Sequence, residues 1–143
     1  MIETRPASAA DQAAVLALWQ DCGLTRPWND PAADFRRALG WPGSEVIVTP
    51  VLGTIAASVM VGHDGHRGWV YYLAVARDHR RSGLGRALMA AAEAWLVERG
   101  CPKIQLMVRE DNAAAVAFYR ALGLEVQKVA VLGRFLQPEP GRG

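Results

Sequence analysis

The chain has 143 residues, 51% of them hydrophobic and 21% charged, with a formal net charge of +2. That length suits one domain able to bury a core, and so small a charge gives no argument for a nucleic-acid partner. Arg77, Arg80, Arg81 and Arg86 do cluster locally, in a way that suits a small polyanion. No apolar run approaches a membrane span and the N-terminus reads Met-Ile-Glu-Thr-Arg-Pro, so neither a membrane nor a nucleic acid is an expected partner, and a cytoplasmic location is expected.

Taken in order, Ile2 to Arg5 reads as a short strand ended by Pro6. Ser8, followed three residues on by Asp11, is a capping-box variant. It opens a helix with Val15, Leu16, Leu18 and Trp19 on its apolar side, closing near Gly23. Asp30 can cap a second helix with Pro31 in its first turn, running to Leu39 before Gly40-Trp41-Pro42-Gly43 breaks it. Glu45 to Thr49 and Thr54 to Val61 are β-branched apolar runs around Pro50-Val51-Leu52-Gly53, the pattern of a hairpin. His63 to Gly68 is a polar turn, and Trp69 to Val75 the next strand. Gly83 to Arg99 is the longest helix, with Leu84, Leu88, Ala91, Trp95 and Leu96 at helical spacing and Gly100 placed to end it.

Lys103 to Val108 reads as a strand, Asn112 to Leu122 as a helix ended by Gly123, and Leu124 to Leu136 as one or two strands. Hairpins around one β-α-β crossover (Trp69 to Val108) predict a single α+β domain over 1–136. Its sheet would be mixed, with six to seven strands and about four helices on its faces. A frayed Pro/Gly tail is expected over 137–143. Cys22 and Cys101 have neither metal-ligand nor Cys-x-x-Cys spacing and read as reduced, buried thiols.

The chemical signal lies between the Trp69 strand and the long helix. Arg80, Gly83 and Gly85 stand at Arg-x-x-Gly-x-Gly spacing. Glycines let backbone approach a ligand closely. The amides that open a helix lack intrahelical partners and carry the positive end of its dipole. Strand, basic glycine turn and helix thus form a phosphate cradle ringed by Arg80, Arg81 and Arg86. A dinucleotide motif would need glycine at Leu88, and a Walker-type loop would need Gly-Lys-Ser/Thr; neither is present. The plainer reading is a helix start with a solvated basic face.

Arg-x-x-Gly-x-Gly after a strand ending Leu73-Ala74-Val75 resembles the pyrophosphate loop of the GCN5-related N-acetyltransferases, the GNAT superfamily, which bind acetyl-coenzyme A. Asn112 to Leu124, with Phe118-Tyr119 and Gly123, resembles the family's second signature, Leu124 replacing the usual aromatic. Arg26 to Pro31, Asp64 to Gly68, Cys101 to Gln105 and Glu110 to Asn112 resemble the bacterial YpeA-type subgroup. The Asn112 helix also resembles the RimI-type protein N-terminal acetyltransferases.

The resemblance implies transfer of acetyl from acetyl-CoA to a primary amine, on a small molecule or a protein, by direct attack in a ternary complex. It implies that Trp69–Val75 and Lys103–Val108 splay apart with the acyl-pantetheine arm between them, met by main-chain groups of Leu73, Ala74 and Val75. The pyrophosphate would rest on amides from Arg80 through Ser82 and Leu84 to Arg86. Asn112 would contact the arm, and Tyr119 would stand near the sulfur as general acid. Trp28, Asn29, Asp64, His66 and Tyr71 would line the acceptor side. No metal is implied.

Two features depart from the family. Where some members carry a catalytic Glu this chain has Trp69, and the RimI-type Glu position is Met107. The general base is therefore open among Asp64, His66, Glu110, Tyr71 and a water chain to bulk. That gap supports an alternative, a non-catalytic acyl-CoA-binding sensor. Plainer roles also stand: Tyr119 as a core aromatic, Asn112 as a helix cap, Trp28 to Asp30 as a turn into a helix, and His63, Asp64 and His66 as a solvated turn rather than a metal site. The acceptor amine is not named by the residues. Edge strands can pair between chains, which leaves a homodimer open.

Overall fold

A computed structural model describes residues 1–137. The expected tail therefore lies, from position 138 onward, outside the described residues.

Strand β1 (Arg5–Pro6) leads into a 3-10 turn (Ala9–Asp11) and helix α1 (Gln12–Asp21). Helix α2 (Pro31–Gly40) starts as expected, the Asp30 carboxylate accepting from the Ala33 amide at 3.1 Å. Strands β2 (Ser44–Val51), β3 (Thr54–His63) and β4 (Gly68–Val75) form an antiparallel meander. The β2–β3 turn is tighter than the pattern suggested. Pro50 and Val51 belong to β2, with an irregularity at Thr49/Pro50, leaving Leu52 and Gly53 at φ 51° and 79°. A 3-10 turn (Arg77–His79), helix α3 (Leu84–Glu98), strand β5 (Ile104–Gln105) and helix α4 (Ala113–Ala121) complete the order.

The sheet has five strands in the order β1-β2-β3-β4-β5, all neighbours antiparallel except β4–β5. Strand alternation divides the core between its two faces. Val46, Val48 and Ala74 pack with Val15, Leu18 and Trp19 of α1 and Phe35 of α2. Ile47, Val59, Val61 and Val70 pack with Leu84, Leu88, Trp95 and Leu96 of α3, and Phe118 and Tyr119 of α4 lie against that cluster.

Two expectations about strands are corrected. The strand expected over Lys103–Val108 pairs only as Gly68↔Ile104 and Trp69↔Gln105; beyond that the parallel pair separates, which is the splay. The strands expected over Leu124–Leu136 are absent among the described residues. Val126, Val129, Val131 and Leu132 are exposed there, and Lys103 Nζ donates to Gln127 Oε1 at 2.9 Å. A ladder of two residues in β5 gives that segment no extended edge to pair with. The sheet accordingly has five strands rather than six or seven.

Candidate active site

Strand β4 breaks its own alternation. Its pairing with β3 shifts between Ser58↔Ala74 and Met60↔Tyr71, so Tyr72 and Leu73 face one residue, a β-bulge. Tyr72 takes φ 54°, a left-handed conformation uncommon for a residue with a side chain. The bulge sends both Tyr71 and Tyr72 towards α2, whereas Val70 and Leu73 pack towards α3. Two contacts hold the strained residue, and a third fixes the indole on which it stacks. The Tyr72 ring stacks on Trp19 with centroids 3.9 Å apart and planes 7° from parallel. Trp19 Nε1 donates to Ser58 Oγ at 2.9 Å, and the Tyr72 hydroxyl donates to Asp34 Oδ2 at 2.8 Å. Burial, then the neighbouring Asp34 carboxylate, pushes the Tyr72 phenol well above its ordinary pKa.

Between β4 and α2 lies a cavity of about 810 Å³. Leu24, Ala38 and Met60 supply apolar wall, and Trp41, Tyr71 and Tyr72 supply aromatic wall. Its polar lining is Asn29, Asp34, Arg37 and Ser44. Asp34 Oδ1 accepts from Arg37 Nη1 at 3.1 Å. Burial and then the Asp64 charge raise the Tyr71 phenol, which keeps it protonated and removes it as a direct base. Of the residues expected on the acceptor side, Asn29 and Tyr71 line this cavity; Trp28, Asp64 and His66 are not in its lining. Asp64 holds its own turn, accepting from the His66 and Arg67 amides at 2.9 and 2.8 Å and from Trp69 Nε1 at 3.1 Å. Those donors, the Arg67 amide foremost, lower its pKa to about 2, so it is a weak base.

The loop after β4 has the expected form. Arg81 and Gly83 both take positive φ, 63° and 86°, and Gly83 caps α3. Among the described residues no amide from Arg81 to Arg86 meets a backbone or side-chain acceptor. The two glycines have different reasons. Gly83 serves its left-handed backbone, whereas a Cβ on Gly85 would stand 3.2 Å from Phe118 Cζ and 3.7 Å from Val75 Cγ2. Gly85 thus lets α3 approach the α4 side chains. Arg80 is tied back: its Nε donates to the Val75 carbonyl at 3.2 Å and its Nη2 to Cys22 Sγ at 3.8 Å. The Val75 carbonyl also accepts from Cys22 Sγ at 3.4 Å. Asn112 caps α4, accepting from the Ala115 amide at 3.1 Å. Tyr119, two turns on, packs against the same buried cluster as Leu73 and Val75, and burial raises its pKa.

Asp34, Arg37 and Trp41 line the cavity without having been expected there from the sequence, whereas Tyr72 is a pocket wall as its strand position suggested. A signal was available for the first three. Positions 34, 37, 38 and 41 recur at helical spacing, a stripe mixing charge with an aromatic beside the buried Phe35.

Comparison with known proteins bears on both regions. Residues 13–124 match the profile described as the acetyltransferase (GNAT) family. A protein of Yersinia pestis (strain Pestoides F) named acetyltransferase is 48% identical over 122 residues, 85% of this chain and 86% of that protein. An acetyltransferase of Yersinia enterocolitica is 44% identical over 135 residues, 94% and 96% of the two chains. In fold, the chain is similar to AAC(6')-Iy in complex with the bisubstrate analogue CoA-S-monomethyl-acetylneamine, with a TM-score of 0.82 over 94% of this chain and 98% of that one, at 15% identity.

Proposed function

The chain belongs to the GNAT family and is an acetyltransferase, and from that premise we propose that it moves an acetyl group from acetyl-CoA to a primary amine held in the cavity beside β4. The observation that carries this reading is the double placement of Tyr72. Its backbone forms the bulge of the strand that leads to the glycine loop, and its phenol meets Asp34 in the cavity lining. One residue therefore joins the donor strand to the acceptor space.

Acetyl-CoA supplies an acetyl group activated as a thioester. The residues present fit its pyrophosphate: amides over 81–86 without partners among the described residues, a helix N-terminus behind them, and the exposed Arg81 and Arg86 in the same stretch. Arg80, tied to Val75 and Cys22, shapes the loop rather than presenting a free charge. The edge of β4 beyond Trp69, unpaired by β5, would offer main-chain groups of Leu73 to the pantetheine arm, those of Ala74 being paired with Ser58 of β3. Asn112 would stand at the arm.

The acceptor must reach the thioester as a neutral amine, so its ammonium gives one proton to water. As the N–C bond forms and the C–S bond breaks, a second proton leaves the nitrogen for solvent. Tyr119 gives its phenolic proton to the departing sulfur and recovers one from water, so one proton is released per turnover. Burial keeps that phenol protonated, the state a donor needs. Asp64 and Tyr71 do not serve as the base, His66 and Glu110 are not in the cavity lining, and water leading from the cavity to bulk takes that role.

The test is steady-state release of free CoA from acetyl-CoA across a panel of primary amines. Tight acetyl-CoA binding without release from any of them would favour an acyl-CoA sensor instead. Two free cysteines suit a reducing compartment, and the cytoplasm is the proposed location.

A further inference from the structure

The cavity lining carries one fixed anion and one exchangeable cation, and these bear on the class of acceptor, an inference that rests on the transferase reading above. Asp34 is the fixed group: its side chain is 30% exposed and Oδ2 is held by the Tyr72 hydroxyl at 2.8 Å. Arg37 is the exchangeable one. Its side chain is 72% exposed, and its contact is a single bond from Nη1 to Asp34 Oδ1 at 3.1 Å, the other guanidinium nitrogens having no acceptor among the described residues. An exposed i,i+3 pair of this kind is weak and screened by salt. A planar guanidinium gains more from a carboxylate that takes two parallel N–H bonds.

We propose that the acceptor is an α-amino acid with an apolar or aromatic side chain. Its carboxylate takes the Arg37 fork from Asp34. Its ammonium, on the adjoining carbon, takes the Asp34 oxygen so released before losing its proton. Each charge of the lining then has a partner and none is left over. A polyamine or aminoglycoside would bring several cations to one carboxylate and an opposing arginine, which the lining cannot satisfy. A simple amine would have to displace Arg37 from Asp34 with no anion to receive it. Leu24, Met60, Trp41 and Tyr71, the last two 52% and 44% exposed, are the surface on which the side chain rests. Asn29 and Ser44 are the remaining polar residues of the lining, and the Ser44 hydroxyl already donates to the Ala38 carbonyl at 2.9 Å.

The experiment follows free CoA from acetyl-CoA with leucine, methionine and phenylalanine, the carboxamide of each, phenethylamine, phosphoethanolamine and spermidine. The expected result is a kcat/KM for at least one amino acid roughly tenfold or more above its carboxamide and the other amines. In Arg37→Gln the acid-to-carboxamide ratio should collapse towards unity, chiefly through KM. Preference for spermidine, phenethylamine or a carboxamide would overturn the inference while leaving the transferase reading intact. Preference for phosphoethanolamine would overturn the carboxylate in favour of a phosphate. An unchanged ratio in folded Arg37→Gln would remove Arg37 from recognition. No release from any acceptor would overturn both readings together.

Discussion

The phenol of Tyr72 and the carboxylate of Asp34, 38 positions apart in the chain, meet at 2.8 Å, and that bond ties the bulge of β4 to helix α2. The bulged residue sits at φ 54°, so its conformation must be held from outside.

Tyr72→Phe keeps the stack on Trp19 and removes only the hydroxyl. A hydrogen bond to a charged group is worth about 1.5–3 kcal/mol, so the melting temperature should fall. Acceptor kcat/KM should fall about tenfold or more with acetyl-CoA affinity little changed. Equal loss for donor and acceptor, in folded protein, would remove the acceptor-specific role of the Tyr72 hydroxyl.

Gly83→Glu should abolish acetyl-CoA binding, because a carboxylate would stand among the amides of 81–86. Calorimetry on the folded variant reads this directly, and retained affinity would remove the loop from the site. Gly85→Glu is the poorer test, since its side chain would also drive into Phe118.

Tyr119→Phe should lower kcat by ~10²-fold or more if the phenol is the general acid. Acetyl-CoA affinity and fold should survive. The raised pKa of Tyr119 means that the alkaline limb of the wild-type kcat profile should lie above the ordinary tyrosine range. Weaker affinity with unchanged kcat would make it a pocket wall.

Asp11 joins the first strand to the first helix. Its Oδ2 accepts from Arg5 Nη1 and from the Ser8 amide, each at 2.8 Å, and these donors, Arg5 foremost, lower its pKa from 3.8 to about 2. The folded value lies below the unfolded one. Its stabilisation is therefore complete above pH 3.8 and is lost as pH falls towards 2. Asp11→Asn should flatten the drop in unfolding free energy across that window; an identical acid profile would show that other carboxylates set it.

Much of this architecture could be read from local pattern. Asp30 with Pro31, the Arg80–Gly85 loop and Asn112 each announce a helix start within a few residues, and each is found there. Long-range pairing was not legible. The length of β5 depends on how far β4 stays beside it, and the cavity depends on a bulge that turns two successive tyrosines to one side. Trp28, Asp64 and His66, expected on the acceptor side from loop position, are not in the cavity lining, whereas Asp34 and Arg37 are, because the packed helix α2 carries Asp34 to the Tyr72 hydroxyl with Arg37 one turn on.

The distribution of the five tryptophans has an optical consequence. Trp19 is fully buried against Tyr72, whereas Trp41 lines the cavity with half its surface in solvent. A molecule settling on Trp41 changes the polarity around that indole and leaves the buried one unaffected. Intrinsic emission thus offers a label-free binding signal, and Trp41→Phe identifies its source without disturbing the Trp19 stack.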